Sequence, residues 1–184
     1  VAIIALFQTS KQLKINNKQA LFDRRLVAYL RIIELVELTK QNENHLDISK
    51  DSDNFFMTIP LHFNWFTNSP ELEKIGSVID AELGTTSHKR FLHQLAQLEK
   101  LSLEARLIFD KPDSDKLSQF VMSYKDFLFS MFQYQILFNH LQENMERWSW
   151  SYEEACQQLG VKEEQENVIK VATRLKQDYL VLIK

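Results

Sequence analysis

The sequence predicts an all-α fold, a single bundle of about five to seven helices built against a long N-terminal helix. Three observations carry that expectation. Glycine and proline number only 3 each in 184 residues, too few for the turns of an all-β or nucleotide-binding α/β fold. Apolar residues recur at helical spacing in most segments between polar breaks. Hydrophobic residues make up 45% of the chain, charged residues 26%, and phenylalanine alone contributes 13, a composition of packed helices and not of disorder.

Residues 1–41 are predicted to form one long helix, and residues 42–184 the bundle packed on it. In the first helix Phe22, Leu26, Tyr29, Ile33 and Val36 alternate four and three residues apart, a coiled-coil rhythm. Leu21, Ala28, Ile32 and Leu35 make a second apolar face, so the helix is expected to meet more than one neighbour. The stretch 40–54 is rich in Asn, Asp and Ser and reads as an exposed loop. Pro60 interrupts "FFMTIPLHFNWF", which is expected as a short helical or irregular segment on the core. In "SPELEKIGSVIDAELG", Ser69 as cap, Pro70 at the first position, acidic Glu71 and Glu73 and a terminal Gly84 predict a further helix.

Ser87 is the expected cap of the next helix, with a face of Phe91, Leu95, Leu98, Leu101 or Ser102, and Ala105. "DKPDSD" ends it. The stretch 114–147 then reads as a long helix whose side carries Phe120, Tyr124, Phe127, Met131, Tyr134, Phe138, Leu141 and Met145. Ser151 opens a short helix that Gly160 ends, and Val168, Val171, Leu175, Tyr179 and Leu182 mark the last helix.

The termini and charges bear on location. "VAIIALF" is apolar for seven residues, against the roughly 20 that a span requires. A basic flank follows at once, in Lys11, Lys14, Lys18, Arg24 and Arg25. Apolar residues followed by cations match the positive-inside pattern, so residues 1–41 are expected to continue a membrane anchor and to hold the domain in the cytoplasm. The competing expectations are that residues 1–7 are two turns of a core helix and that the chain is simply cytoplasmic. Arg24 and Arg25 are expected to orient the helix, with at least one paired to a carboxylate of another helix.

The residue types that carry chemistry do not assemble into a known pattern. The net charge of −3 gives no reason to expect general nucleic-acid binding. "EEACQQLGVKEEQENVIKVATRL" has the rhythm of a helix-turn-helix, but its second helix opens on Glu163, Glu164 and Glu166, which would repel phosphates. Gly76, Gly84 and Gly160 stand alone and make no phosphate loop. His88 and His93 lie five apart and His45 and His62 fall in irregular segments, where helical metal pairs need three or four. His140, Glu143 and Glu146 share a face, yet reverse the order of the di-iron bundles and occur once, so they read as surface residues. The single Cys156 sits beside Glu153 and Glu154, which disfavour a thiolate, and reads as a small core residue in a reducing compartment. No catalytic, cofactor-binding or metal residue is assigned. "RWSWSY" is expected either as an exposed aromatic contact or as a corner in which Trp148 and Trp150 close over the core.

The phrase "NNKQALFDRRLVAYLRI" resembles a pattern in small, uncharacterised bacterial membrane proteins, in which a transmembrane helix continues into a polar helix and then a phrase similar to F-D/E-R-R/K-L-x-x-Y. Phe22, Asp23, Arg24, Arg25, Leu26 and Tyr29 carry the match. The resemblance implies a helical domain tethered to the bacterial inner or cell membrane. In outline the chain is also similar to membrane accessory proteins of RNA-guided antiviral defence, related to HEPN helical domains, which implies self-assembly. HEPN ribonucleases need an Arg followed a few residues later by His; here Arg90 and His93 stand too close and His140 precedes Arg147.

The expected function is therefore non-enzymatic, a membrane-tethered homo-oligomer joined through Phe22, Leu26, Tyr29, Ile33 and Val36. The alternatives are a soluble helical adaptor and a degenerate HEPN-like RNA-binding domain.

Overall fold

The structure, a computed structural model, describes residues 2–49 and 53–183, with side chains for 11–49, 54–141 and 143–183. It is all-helical among those residues. Eight α-helices follow in order: α1 (Ala2–Gln41), α2 (Asp53–Met57), α3 (Ile59–Thr67), α4 (Glu73–Gly76), α5 (Thr86–Ile108), α6 (Asp113–Trp148), α7 (Tyr152–Leu159) and α8 (Val161–Leu182). That is one more than the upper expectation, because α2 and α4 are single-turn pieces. Among the described residues no helix is long and apolar enough to cross a membrane.

α6 is the axis. Phe120, Tyr124, Phe127, Met131 and Tyr134 follow a helical stripe, and Val121, Leu128 and Phe132 widen it, so that all are buried. α5 lies on one side. Ser102 and Ser118 permit the close approach of the two backbones, with the Ser102 hydroxyl donating to the Ser118 carbonyl at 3.0 Å. Phe91 and Phe132 pack with ring centroids 4.5 Å apart further along the same contact. α8 lies on another side, where Ser123 donates to Asp178 at 2.5 Å and Arg174 pairs with Asp126. α3 closes the third side through Phe66, whose ring meets Phe127 at 5.0 Å and whose carbonyl accepts from the buried Tyr124 hydroxyl. That carbonyl lies in the last turn of α3, where the helix offers it no partner. Burial, reinforced by Glu34, pushes the Tyr124 phenol well above its ordinary pKa, so the donor proton is retained.

Three local expectations are revised. The stretch after Ser69 is not a helix to Gly84; only Glu73–Gly76 is helical. Instead Leu72, Ile75, Val78 and Ala81 each donate to the carbonyl three residues back. Such turns eclipse every third residue, which sends Leu72, Ile75 and Val78 into the core together. Gly76 belongs to this path, since a side chain there would press on Asn64 Oδ1 at 3.2 Å and Thr67 Oγ1 at 3.3 Å.

The cap of α5 is Thr85 and not Ser87: its hydroxyl accepts from the His88 N–H at 3.2 Å, directly after left-handed Gly84. The stretch after α1 is not wholly exposed either. It winds into a 3₁₀ turn, Glu43–Leu46, that buries Leu46, and Lys176 of α8 holds Asp47 at 2.7 Å. Pro60, by contrast, begins a helix and does not break one, because it occupies the second position of α3, where its missing N–H has no helical acceptor. Ser151 opens α7 as expected, through a capping box in which it and Glu154 pair reciprocally, and Gly160 ends the helix in the left-handed conformation.

Tyr124→Phe is expected to lower folding stability by about 1–3 kcal/mol, because it strands the buried Phe66 carbonyl. Urea unfolding followed by circular dichroism measures it: the midpoint falls while the helical signal of the folded protein is unchanged.

Candidate functional site

α1 divides into two parts. From Ala28 onward it belongs to the bundle: Ala28, Ile32, Leu35 and Leu38 are all buried in the common core. Before that, every residue from Lys11 to Arg24 is exposed, a projection of about 21 Å at the α-helical rise. Its sequence favours helix through Lys, Gln, Leu and Ala, and Gln12 donates to Asn16 at 3.2 Å one turn on. Arg25 marks the junction. Its Nε donates to the carbonyl of Ile108, the last residue of α5, which is otherwise an orphan of that helix end. The expected carboxylate partner is thus replaced by a backbone carbonyl, at the negative end of the α5 dipole, which favours a cation. Arg31, one face away, reaches Glu71 at 3.5 Å across a cleft of about 220 Å³ floored by Leu98 and Leu101.

The stripe of Phe22, Leu26, Tyr29 and Ile33 is exposed to 62%, 45%, 48% and 37%, whereas Val36 is half-buried against the core. The stripe and the core-facing residues lie roughly a third of a turn apart on the helix. The bundle therefore covers one of the two apolar faces and leaves the other in solvent. Leu21, grouped with the core-facing residues by spacing, is exposed because it precedes the point where the bundle begins. Lys11, Lys14, Lys18 and Arg24 are exposed along the same projection. Ala2 to Phe7 are part of α1, but the side chains before Lys11 lie outside the described residues, and with them the expectation of a core helix over residues 1–7.

Two histidines that lie far apart in sequence come together. The His45 and His62 rings stand 5.2 Å apart, with Trp65 at 4.1 Å from the first and 4.8 Å from the second, and Phe55 at 4.3 Å from His62. His62 Nδ1–H donates to the Thr58 carbonyl at 2.9 Å. Burial, opposed in part by that bond, lowers the His62 pKa from its ordinary value. Aromatic surroundings supply no third metal ligand, and among the described residues no group of three His, Cys, Asp or Glu could hold a metal ion. Spacing could not reveal this cluster, because the 3₁₀ turn and α3 meet only in three dimensions.

The remaining residues singled out above are dispersed. His140, Glu143 and Glu146 are exposed on the last turns of α6, and Arg90 and His93 on α5. His88 stacks on Phe132 at 5.6 Å. Cys156 is buried. The two readings of "RWSWSY" divide between its residues: Trp150 packs against the core, while Trp148 and Tyr152 are exposed and Arg147 lies over the Trp148 ring at 5.5 Å. Among the described residues, the exposed stripe on α1 is a regular row of large apolar side chains that the core leaves uncovered.

The His62 environment yields a pH dependence with a definite sign. The folded state holds the pKa down, so the unfolded chain binds the proton more readily. Stability is unaffected while both states are neutral and declines as pH falls below about 6.5, where the unfolded histidine begins to charge. In His62→Gln this component disappears. Thermal midpoints of both proteins between pH 8 and pH 5.5 should diverge at the acid end, with the wild type losing more.

No protein-family model matches this chain, and no curated protein or solved structure is significantly similar to it.

Proposed function

We propose that this chain is a non-enzymatic, membrane-tethered protein whose helical domain faces the cytoplasm and acts by self-assembly through the first helix. The observation that carries this reading is the projection of α1, whose residues 11–24 are exposed and whose apolar stripe continues to Ile33 beside the bundle. This segment extends a helix that the bundle already nucleates, so it depends on propagation alone, which Asn16, Asn17 and Asp23 weaken where nothing packs on it. A row of large apolar side chains beside it marks a contact surface. A second copy of the chain would supply packing to both.

The membrane half of the reading is supported by the order of residues along the helix. Ile3, Ile4, Leu6 and Phe7 precede Lys11, Lys14 and Lys18. That order suits an apolar end in hydrocarbon with cations among anionic headgroups on the cytoplasmic side. Confinement to a surface raises the local concentration of like chains and lowers the entropic cost of their association. The non-enzymatic part is supported by the placement of the histidines: the two that come together, His45 and His62, do so among aromatic rings. A second reading, an adaptor that binds another protein through aromatics, is favoured by the exposed Trp148 and Tyr152.

Light scattering on the full chain in mild detergent tests the assembly. The expected mass exceeds that of one chain, and Leu26→Glu returns it to one chain while the thermal midpoint holds, since Leu26 lies outside the core. A monomer at tens of micromolar would contradict self-assembly. Flotation with vesicles containing phosphatidylserine tests the tether: the chain should rise with the lipid, and protein left at the bottom of the gradient would contradict it.

A further inference from the structure

The exposed stripe has a register and an orientation written into its flanks. Ile15, Phe22, Tyr29 and Val36 recur every seven residues, and Leu26 and Ile33 fall four residues after Phe22 and Tyr29. These are the two seam positions of a heptad repeat, with Gln12 and Gln19 completing the second. One flank of this seam carries Lys11, Lys18 and Arg25, and the other carries Asn16, Asp23 and Leu30. All six precede Ile32, the first residue of the basic flank that the bundle buries. The seam is therefore free of the chain's own bundle from Ile15 to Ile33 and closes at Val36, which the core half-covers.

Resting on the self-assembly reading above, we infer that the occupant of the stripe is the same stripe of a second copy, in a parallel, in-register pair of helices. In a parallel pair, each basic-flank residue meets the residue five further along the other chain. Lys18 then meets Asp23 of the second copy, twice by symmetry, and Lys11 meets the neutral amide of Asn16. Arg25, the third residue of that flank, is turned to the Ile108 carbonyl of its own chain and adds no charge pair to the seam. An antiparallel pair would set the flank of Lys11, Lys18 and Arg25 against itself, cation on cation. Gln12 and Gln19 add a register signal: a seam amide bonds its counterpart only when the two chains are level, and a slipped pair buries it against apolar side chains. The pair leaves the two bundles side by side at the end of the rod, because the core of each chain contacts a different face from the seam.

Cross-linking and charge reversal in the full chain test this, in a Cys156→Ala background. Ile15→Cys lies at the far end of the seam, so a parallel pair brings the two thiols together and mild oxidation should give a covalent dimer rapidly. Asn17→Cys, on the outer side of the rod, should link far more slowly. Lys18→Glu and Asp23→Lys are each expected to weaken association roughly tenfold by turning both attractions into repulsions, and the double variant should restore it. Neither residue touches the bundle, so folding is unaffected. Chains that associate without an Ile15→Cys cross-link, or whose double charge variant is no better than the single ones, would overturn the parallel register while leaving self-assembly intact. Chains that do not associate at all would remove the underlying reading.

Discussion

A helix of 40 residues rises about 60 Å, and the bundle behind α1 is built from helices of 23, 36 and 22 residues whose apolar sides are already turned on one another. α6 is surrounded by α5, α8 and α3, and α1 adds only a short strip to the core that they form. Ala28, Ile32, Leu35 and Leu38 are that strip. The tie between Arg25 and the carbonyl end of α5 fixes where α1 leaves the bundle. Residues 11–24 stand outside, and the outward stripe stays uncovered as far as Ile33.

Stability and the proposed association are consequently placed on different residues. The bundle is held by Phe63, Phe66, Phe91, Phe120, Tyr124 and Phe127, which are fully buried and far from the stripe in sequence. Of the polar ties between helices, Ser102 with Ser118 lies inside that core and Ser123 with Asp178 at its edge. Large-to-small changes there leave cavities and cost stability. Changes at Phe22 or Leu26 remove side chains that the bundle does not touch. A chain arranged in this way can alter its assembly without altering its fold.

Helices with a sustained 3.6-residue pattern were legible in the sequence: α1, α5, α6, α7 and α8 lie within a few residues of where periodicity and capping residues put them. The stretch after Ser69 was misread because Leu72, Ile75 and Val78 satisfy a helical period and a chain of three-residue turns equally well, and Gly76 fits the close packing of the turns against Asn64 and Thr67. Leu46 was lost in a polar stretch since one apolar residue gives no period. For the same reason the meeting of His45, His62 and Trp65 had no signal, being a product of tertiary packing. On α1 the division between a covered and an uncovered face was suggested by spacing, but the point of division was not: Leu21 and Ala28 occupy the same face, and only the end of α5 decides which of them is buried.

The central claim is that the projecting part of α1 is helical because another chain packs on it. Hydrogen exchange of the amides between Lys11 and Arg24, followed as the full-chain concentration is raised, addresses this most directly. Protection that rises with concentration, while the amides of α5, α6 and α8 stay equally protected throughout, is the predicted result. Exchange in the projection that stays fast at every concentration, or that is slow to the same degree in the most dilute sample, would contradict it.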